Sequence, residues 1–208
     1  MSERYLRRYT NIPALIYALR QRAISLLDPQ SWEDSNDSHY LALYREKKHL
    51  KSLLALCFTQ ATEKYHHWRV FAGGSSGVCV RFNRPQLLKI AMKQEGLTAG
   101  TVLYRKLAVI REKTPAIQEL PFLKRSGFED ENEFRMIYES ETLGLRKLDI
   151  PIHLSSIDRI KLSPWIPRSL ALDLRELLKS TEGCGRLKIV RSTLIGNEEW
   201  KTLGEKAK

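Results

Sequence analysis

The stretch Leu53–Thr59, with the sequence LLALCFT, is a continuous apolar run of strand length. Such a run is typical of a strand covered on both faces, because a half-exposed strand alternates apolar and polar residues. A second run, Gly77–Phe82 (GVCVRF), leads into Asn83 and Pro85, which predict the first turn of a helix. We therefore expect a sheet with a buried centre and helices packed on it.

Shorter patterns on both sides of these runs extend the sheet. Further strands are predicted at Tyr5–Thr10, Ala23–Leu27, Thr101–Leu107, Glu133–Glu139, Ile157–Leu162 and Leu187–Arg191. Helices are predicted after the N-cap Asn11, from Ser38 toward Lys51, over Lys64–Phe71, from Asn83 to Gln94, over 109–120 and from Pro167 to Lys179. No linker or repeat divides the chain. The prediction is a single α+β domain over 1–208, with a central, mostly antiparallel or mixed sheet.

The composition describes a globular chain with a sizeable core. The 208 residues are 42% hydrophobic and 28% charged, which is ordinary for a domain that needs no disulfides to fold. No apolar stretch reaches the roughly 18 residues that a membrane span needs. The three widely spaced cysteines suit reduced thiols, and the N-terminus does not resemble a signal peptide. We expect a cytoplasmic protein without a membrane partner.

The net charge raises the question of a polyanionic partner. It is +11, with 35 basic and 24 acidic residues, and the isoelectric point is near 9.7. Basic side chains that neutralise phosphates release counterions, so this balance favours nucleic acid, either RNA or DNA. The excess is spread along the chain without a basic tail, so a solvated basic surface explains it equally well. Charge alone predicts a class of partner and no chemistry.

Acidic residues cluster in two places. One cluster, residues 33–37, falls in a predicted exposed loop. The other leads into the strand EFRMIYE, where alternation places Glu133 and Arg135 on one side and Phe134 on the core side. Glu133 and Arg135 are either a surface pair or the lining of a polar cleft. The scattered histidines and cysteines lack the spacing of a zinc site, so no metal site is predicted from them.

An ordered set of short motifs resembles the bacterial domain-of-unknown-function family 2971. These motifs are Arg8-Tyr9, the loop with Pro29, Trp32 and Asp34, Cys57-Phe58-Thr59, Trp68 with Phe71, Gly77-Val78-Cys79 and Glu131-x-Glu133-Phe134-Arg135. The resemblance covers roughly residues 4–195. Two segments depart from the family pattern, at 69–71 and at 74–76. Membership of this family would imply no activity.

The layout is also similar to that of the ADP-ribosyltransferases, especially toxins that modify nucleic acid. Those enzymes have a basic residue or a histidine on the first strand, a polar or aromatic residue on a following strand, and a glutamate on a late strand. The resemblance implies an ADP-ribosyltransferase-like fold, NAD as substrate, and Glu133 and Arg8 as catalytic residues. It implies an NAD site drawn from Arg8, Tyr9, Ser31, Trp32, Thr59, Trp68, Phe71 and Arg135. Among these, Ser31, Trp32 or Thr59 would take the middle position, and Tyr9 or Trp68 would stack on nicotinamide.

Three functional hypotheses follow from these observations. The first is an NAD-dependent ADP-ribosyltransferase of toxin or phage-defence type that modifies nucleic acid and has an antitoxin or chaperone protein as partner. The second is a non-catalytic nucleic-acid-binding or regulatory module, which would bind in a salt-dependent way without turning over NAD. The third is a metal-dependent nuclease that would use Asp34, Asp37, Glu131 and Glu133. No lysine is expected beside the late carboxylates, which weakens the third hypothesis.

Competing explanations also exist for single residues. The Arg8 side chain would equally suit an edge-strand cation with its head in water. Trp68 would equally suit core packing.

Overall fold

The structure is a computed structural model and describes residues 4–207. The strands are β1 Tyr5–Asn11, β2 Ala23–Leu27, β3 Ser52–Thr59, β4 Gly77–Asn83, β5 Leu97–Thr101, β6 Leu103–Arg105, β7 Leu123–Arg125, β8 Glu133–Ser140, β9 Lys147–Pro151, β10 Ile157–Leu162 and β11 Ile189–Arg191. The helices are α1 Ile12–Gln21, α2 Ser35–Lys47, α3 Tyr65–Phe71, α4 Arg84–Ala91, α5 Leu107–Glu112, α6 Arg168–Ser180 and α7 Glu198–Gly204. Strands and helices alternate irregularly around one large sheet, so the predicted α+β class is confirmed.

Local capping explains where the first helices begin. The Asn11 side chain accepts a hydrogen bond from the Ala14 amide at 2.9 Å, which starts α1. The Asn83 side chain accepts from the Gln86 amide at 3.2 Å and starts α4 in the same way. Both N-caps were predicted. The prediction that Ser38 starts α2 was wrong, because Asp34 caps this helix four residues earlier.

The region between β5 and β7 also differs from its prediction. The predicted strand Thr101–Leu107 is divided between β5 and the short strand β6. The predicted helix over 109–120 ends at Glu112, and a 3₁₀ turn over Ile117–Phe122 follows. Pro115 and Pro121 account for the break, since a proline removes a backbone donor and disfavours helix in the residue before it.

The main sheet has nine strands and is mixed, as predicted. Its order is β11-β10-β4-β1-β3-β2-β9, with β8 on β3 and β5 on β8. Among the strands of residues 4–207, only β10 and β11 run parallel within this sheet, and β6 and β7 form a separate parallel pair. All residues of β3 except Cys57 are buried, so the apolar run that predicted a central strand is confirmed.

The sheet forks along β3. One edge of β3 is filled by β8, which pairs with it from Ser52↔Ser140 to Thr59↔Glu133. The other edge holds two strands, since β1 pairs only at Arg7↔Thr59 and β2 only at Leu27↔Ala55. Residues 56–58 lie between these two attachments without a strand partner on that edge. The fork leaves a backbone segment of β3 open to side-chain contacts.

Both faces of the sheet are covered. The main core holds Leu6, Phe134 and Met136, and a smaller core packs Ile137 against Leu41 of α2. Strand β8 is therefore buried on both faces and not on one. No helix within residues 4–207 combines the length and apolar character of a membrane span.

Candidate active site

Arg135 is the centre of a buried network of charges. It lies on β8 and is fully buried. Its Nε donates to Glu133 Oε1 at 2.7 Å, and its Nη2 donates to Glu133 Oε2 at 3.1 Å. The same guanidinium donates to both oxygens of Asp37, at 2.9 and 2.6 Å, and to the Pro121 carbonyl at 2.9 Å. Arg135 therefore pairs with two carboxylates at once. It donates two hydrogen bonds to each of them, and such bidentate pairs are strong.

The alternation on β8 was predicted correctly, but the surroundings of the pair were not. Glu133 and Arg135 point to the same side of the strand, as expected. The surface-pair alternative is wrong, because Glu133 is only 4% exposed and Arg135 is covered completely. Helix α2 covers them, since it contributes Asp37 from a segment that was predicted to be an exposed loop. Two charges this deep persist only when they are paired.

The Glu133 carboxyl group is held in its ionised form. Burial acts to raise its pKa, but the adjacent Arg135 guanidinium, together with Lys124 and a hydrogen bond from the Cys57 thiol, lowers the pKa to about 2. The Glu133 amide also donates to the Tyr104 hydroxyl at 2.9 Å, which fixes the start of β8. At neutral pH this group is a fixed, oriented carboxylate.

Lys124 on β7 stands among four carboxylates. Its Nζ lies 2.7 Å from Glu131 Oε2 and 3.5 Å from Glu133 Oε2. It also lies 3.7 Å from Asp37 Oδ2 and 3.9 Å from Asp34 Oδ2. Burial acts to lower the pKa of Lys124, but the surrounding carboxylates raise it, so the ammonium stays charged. The expectation that no lysine lies beside the late carboxylates was wrong.

This arrangement bears on the nuclease hypothesis. The four acidic residues named for it do converge, but the Lys124 ammonium occupies the space between them. Among residues 4–207, no three histidine, cysteine or acidic side chains are grouped to hold a metal ion. Lys124 therefore supplies the lysine that this hypothesis lacked, but it pairs with the carboxylates, and the described side chains form no group that could hold a metal ion.

Arg8 lies in the fork of the sheet, next to this network. Its Nη1 donates to the Cys57 carbonyl at 3.0 Å, and this carbonyl belongs to the segment of β3 that has no strand partner on that edge. Burial lowers the pKa of Arg8, while Cys57 and the Glu133 carboxylate oppose that shift. The edge-strand explanation for Arg8 is wrong, since β1 lies between β4 and β3. The early guanidinium and the late carboxylate are thus electrostatic neighbours.

Two other predicted site residues belong to the same region. Arg135 lies over the Trp32 ring, with its guanidinium carbon 5.1 Å from the ring centroid. Thr59 is buried, and its hydroxyl donates to the Glu131 carbonyl and accepts from the Ala61 amide. Thr59 therefore positions the chain before β8 and has no hydroxyl hydrogen left to donate. The side chain of Ser31 lies outside the described part of the chain.

The predicted stacking residues lie elsewhere. Tyr9 and Trp68 are buried and pack edge to face at 5.2 Å, together with Ala72 and Cys79. The Trp68 indole donates to Glu63 Oε1 at 3.0 Å. Neither ring has a free face for nicotinamide, so the prediction of stacking by Tyr9 or Trp68 is wrong. Phe71 is 42% exposed at the end of α3 and contacts His67.

A cavity of about 430 Å³ adjoins the charge network. Asp37 and Lys124 form part of its wall, together with the first turns of α2 and the segment between β6 and β7. Its other lining residues are Asp34, Ser35, Asn36, His39, Tyr40, Arg105, Leu107, Ile110, Leu123 and Arg125. This volume falls in the ordinary range for ligand sites.

Sequence reasoning missed Cys57 as a contact of Glu133, and it missed Lys124 and Tyr104 entirely. No motif marks Lys124 or Tyr104, since each reaches Glu133 through the pairing of β6 with β7. Asp37 did carry a signal, because an acidic residue three positions after an Asp N-cap suits the first turn of a helix. The segment 33–37 was instead predicted to be an exposed loop.

No family model matches the chain, and no curated protein matches its sequence. The resemblance to domain-of-unknown-function family 2971 therefore stays a prediction. Among solved structures, the chain is similar to "Thermus sp. 2.9 DarT in complex with carba-NAD+", with 13% identity and a TM-score of 0.45 over 92% of this chain and 97% of that one.

Two further structures of Thermus sp. 2.9 DarT are similar to the same degree. The complex with NAD+ has 11% identity and a TM-score of 0.45, over 92% of this chain and 96% of that one. The complex with ADP-ribosylated ssDNA has 13% identity and a TM-score of 0.47, over 92% and 95% of the two chains. Similarity at this level assigns no activity.

Proposed function

We propose that this protein is an ADP-ribosyltransferase that takes ADP-ribose from NAD and transfers it to nucleic acid. The observation that carries the proposal is the position of the Arg8 guanidinium in the fork of the sheet, where it donates to the Cys57 carbonyl of β3, next to the β8 residues Arg135 and Glu133 that pair with Cys57 and Thr59. A carboxylate can stabilise the ribose as the nicotinamide–ribose bond breaks, and a guanidinium can bind the pyrophosphate of the same dinucleotide. The proposal is compatible with the similar structures of Thermus sp. 2.9 DarT, one of which is a complex with NAD+ and another a complex with ADP-ribosylated ssDNA.

Glu133 acts at the ribose. As the bond between nicotinamide nitrogen and the anomeric carbon breaks, its electron pair leaves with nicotinamide and the ribose becomes oxocarbenium-like. A carboxylate that accepts a hydrogen bond from a ribose hydroxyl stabilises this positive charge where it forms. The acceptor atom then bonds to the anomeric carbon and loses a proton to solvent. Glu133 itself stays ionised throughout, as its pKa of about 2 requires.

The hydrogen-bond capacity of Glu133 allows this contact. A carboxylate has about four acceptor positions, and Arg135 fills two of them. Lys124 Nζ, 3.5 Å from Oε2, lies near a third. The remaining position can accept a hydrogen bond from a ribose hydroxyl. Arg8 and Cys57 are only partly buried, in contrast to Glu133, so the fork is the side from which the ribose approaches.

Arg8 holds the phosphates. One of its five N–H groups is used on the Cys57 carbonyl, which leaves four donors for oxygen atoms of a pyrophosphate. The carbonyl contact also fixes the guanidinium plane, so less side-chain freedom is lost when the dinucleotide binds. Arg8 thus places the donor with its ribose toward Glu133.

The acceptor side of the proposal rests on charge. A net charge of +11 attracts nucleic acid strongly and repels other basic surfaces. Modification of nucleic acid would suit a toxin or a phage-defence protein, and an antitoxin or chaperone protein would then be needed to control it. These biological roles belong to the proposal together with a cytoplasmic location.

Labelled NAD tests the proposal. We expect transfer of label from NAD to single-stranded DNA, RNA or protein, with nucleic acid as the preferred acceptor. Glu133→Gln should lower transfer by about 100-fold or more, as loss of one transition-state electrostatic contact does. Glu129→Gln is the matched control, since Glu129 is exposed and close in sequence, and it should retain transfer.

A second variant keeps the test decisive if Glu133→Gln unfolds. Arg8→Lys preserves the charge but loses the planar guanidinium, so it should raise the KM for NAD more than it lowers kcat. Salt-dependent nucleic-acid binding with no turnover of NAD by the folded wild-type protein would contradict the proposal. That outcome would favour the non-catalytic binding module.

A further inference from the structure

We infer that three arginines in one row across the sheet, Arg7, Arg81 and Arg159, bind a free diphosphate anion such as that of a nucleoside diphosphate. They lie side by side on β1, β4 and β10, because Arg7 pairs with Arg81 and Arg81 pairs with Arg159. Directly paired residues point to the same face of a sheet, and all three are partly exposed. This arginine row goes beyond the proposed function, since its ligand is separate from NAD.

A bulge in β10 completes the arginine row. The pairing of β10 with β4 shifts between Ile157 and Arg159, so Asp158 is an extra residue there. Ile157 and Ile160 both belong to the main core, although strict alternation would send them to opposite faces. The extra residue therefore places Arg159 opposite Arg81 on the other face.

The arginine row carries an excess of positive charge. Like charges directly opposite one another in an antiparallel pair are destabilising, and the row contains two such pairs. Asp158 pairs with Arg81, at 2.6 Å from Nε and 2.5 Å from Nη2. Arg7 and Arg159 form no salt bridge with any other residue of 4–207. Three cations thus share one carboxylate, and a bound anion would remove the repulsion.

The guanidinium groups keep donors for this anion. Asp158 uses Nε and one N–H of Nη2 on Arg81, which leaves three of the five N–H groups. The Tyr5 ring, 4.5 Å from the Arg81 guanidinium carbon, holds the same group from one side. Arg7 uses only Nη1, on the carbonyls of residues 60 and 61. Arginines that are already held in place lose little freedom on binding a phosphate, and their planar groups match its oxygens.

The extent of the arginine row favours a compact ligand. Neighbouring strands lie about 4.8 Å apart, so three arginines span about 10 Å. Further along the same face, Tyr9 and Cys79 are buried in the small core under α3, and Lys161 is already paired with Glu63. A nucleic-acid backbone needs a longer track of unpaired cations. Two phosphates that share one oxygen atom can contact neighbouring guanidinium groups of a short row.

The arginine row is distinct from the site proposed for NAD. Arg7 and Arg8 are adjacent on β1, so their side chains leave the strand on opposite sides. Arg8 donates to the Cys57 carbonyl in the fork, whereas Arg7 donates to the Ala61 carbonyl at 2.7 Å. A diphosphate in the row therefore leaves Arg8 available to the phosphates of NAD.

Calorimetric titration of the full chain with inorganic pyrophosphate tests the inference. We expect pyrophosphate to bind at least about tenfold more tightly than inorganic phosphate, since the second phosphate adds charge-assisted hydrogen bonds. ADP should compete with pyrophosphate, because it carries the same diphosphate group. Saturating NAD should leave pyrophosphate binding unchanged.

Substitution of Arg159 separates a binding role from a structural one. Arg159→Gln should weaken pyrophosphate binding by about tenfold. It should not lower the thermal midpoint of the ligand-free protein, because it relieves a like-charge pair. Arg159→Lys keeps the charge without the planar group, so its affinity should lie between those of wild type and Arg159→Gln. Arg111→Gln is the matched control, since Arg111 is exposed on α5, and it should change the affinity by less than about twofold.

The outcomes are independent of label transfer from NAD. Equal affinities of Arg159→Gln and Arg111→Gln, displacement of pyrophosphate by NAD, or a lower thermal midpoint in Arg159→Gln would each overturn the inference. If Arg159→Gln weakens binding of a single-stranded oligonucleotide of about eight nucleotides and leaves pyrophosphate binding intact, the row belongs to a nucleic-acid surface and the inference fails. Should Arg159→Gln not fold, wild-type affinity in Arg159→Lys would overturn it. A protein that binds pyrophosphate as expected but transfers nothing from NAD would refute the enzyme proposal alone.

Discussion

Replacement of Arg135 by methionine removes the group that holds two buried carboxylates together. In the native protein Arg135 makes two hydrogen bonds to Glu133 and two to Asp37. Methionine fills most of the volume without a charge, so the variant retains packing and loses the ion pairs. Lys124 then remains as the cation nearest to both carboxylates.

The pKa of Glu133 gives the size of the effect. This pKa is about 2 in the folded protein, against an ordinary value of 4.5, and the difference corresponds to about 3 kcal/mol. Asp37 adds to this, because it also stays buried without its bidentate partner. We expect Arg135→Met to lower the free energy of unfolding by about 3–5 kcal/mol at pH 7.

The pH dependence provides a second, sharper expectation. Since the folded pKa of Glu133 lies below the unfolded one, its stabilisation is present above pH 4.5 and is lost as the pH falls toward 2. The wild-type protein therefore loses about 3 kcal/mol from this group across that window. In Arg135→Met the pKa of Glu133 rises toward its ordinary value, so protonation of this group costs the variant less stability. The difference in free energy of unfolding between the variant and the wild-type protein should therefore narrow as the pH falls.

Urea unfolding at pH 7, 5 and 3.5 measures both effects. Arg81→Met is the matched control, because the Arg81–Asp158 pair is partly exposed and should contribute less than about 1 kcal/mol. The triple change Arg135→Met with Glu133→Gln and Asp37→Asn should recover part of the loss, since it removes the unpaired charges. A loss below 1 kcal/mol at pH 7, or a difference that stays constant down to pH 3.5, would refute the reasoning.

Two further expectations concern the buried side of α3 and the thiols. Trp68→Phe removes the hydrogen bond to Glu63, so it should lower the thermal midpoint by an amount equivalent to about 1–3 kcal/mol while NAD transfer stays unchanged; a selective loss of transfer would show that the indole contacts NAD. Burial raises the pKa of Cys79 to about 12 and also raises that of Cys184, so neither thiol should be alkylated at pH 8 in native protein, and mass spectrometry should find both modified after unfolding.

Local sequence patterns predicted those features that depend on residues close together in the sequence. The N-caps at Asn11 and Asn83, and the apolar run of β3, each depend on residues a few positions apart, and all three were found. The fork depends on which strands meet the open edge of β3, and pairs such as Leu27↔Ala55 are set by the whole sheet. No short window of sequence contains that information, so the fork was not predicted.

The same distinction explains the errors at the site. Alternation along β8 placed Glu133 and Arg135 together because they are two residues apart. Asp37, which is 98 residues from Arg135, gave no sign of its contact. An aromatic residue such as Tyr9 or Trp68 can either stack on a ligand or pack in a core. Both side chains are buried, so they belong to the core.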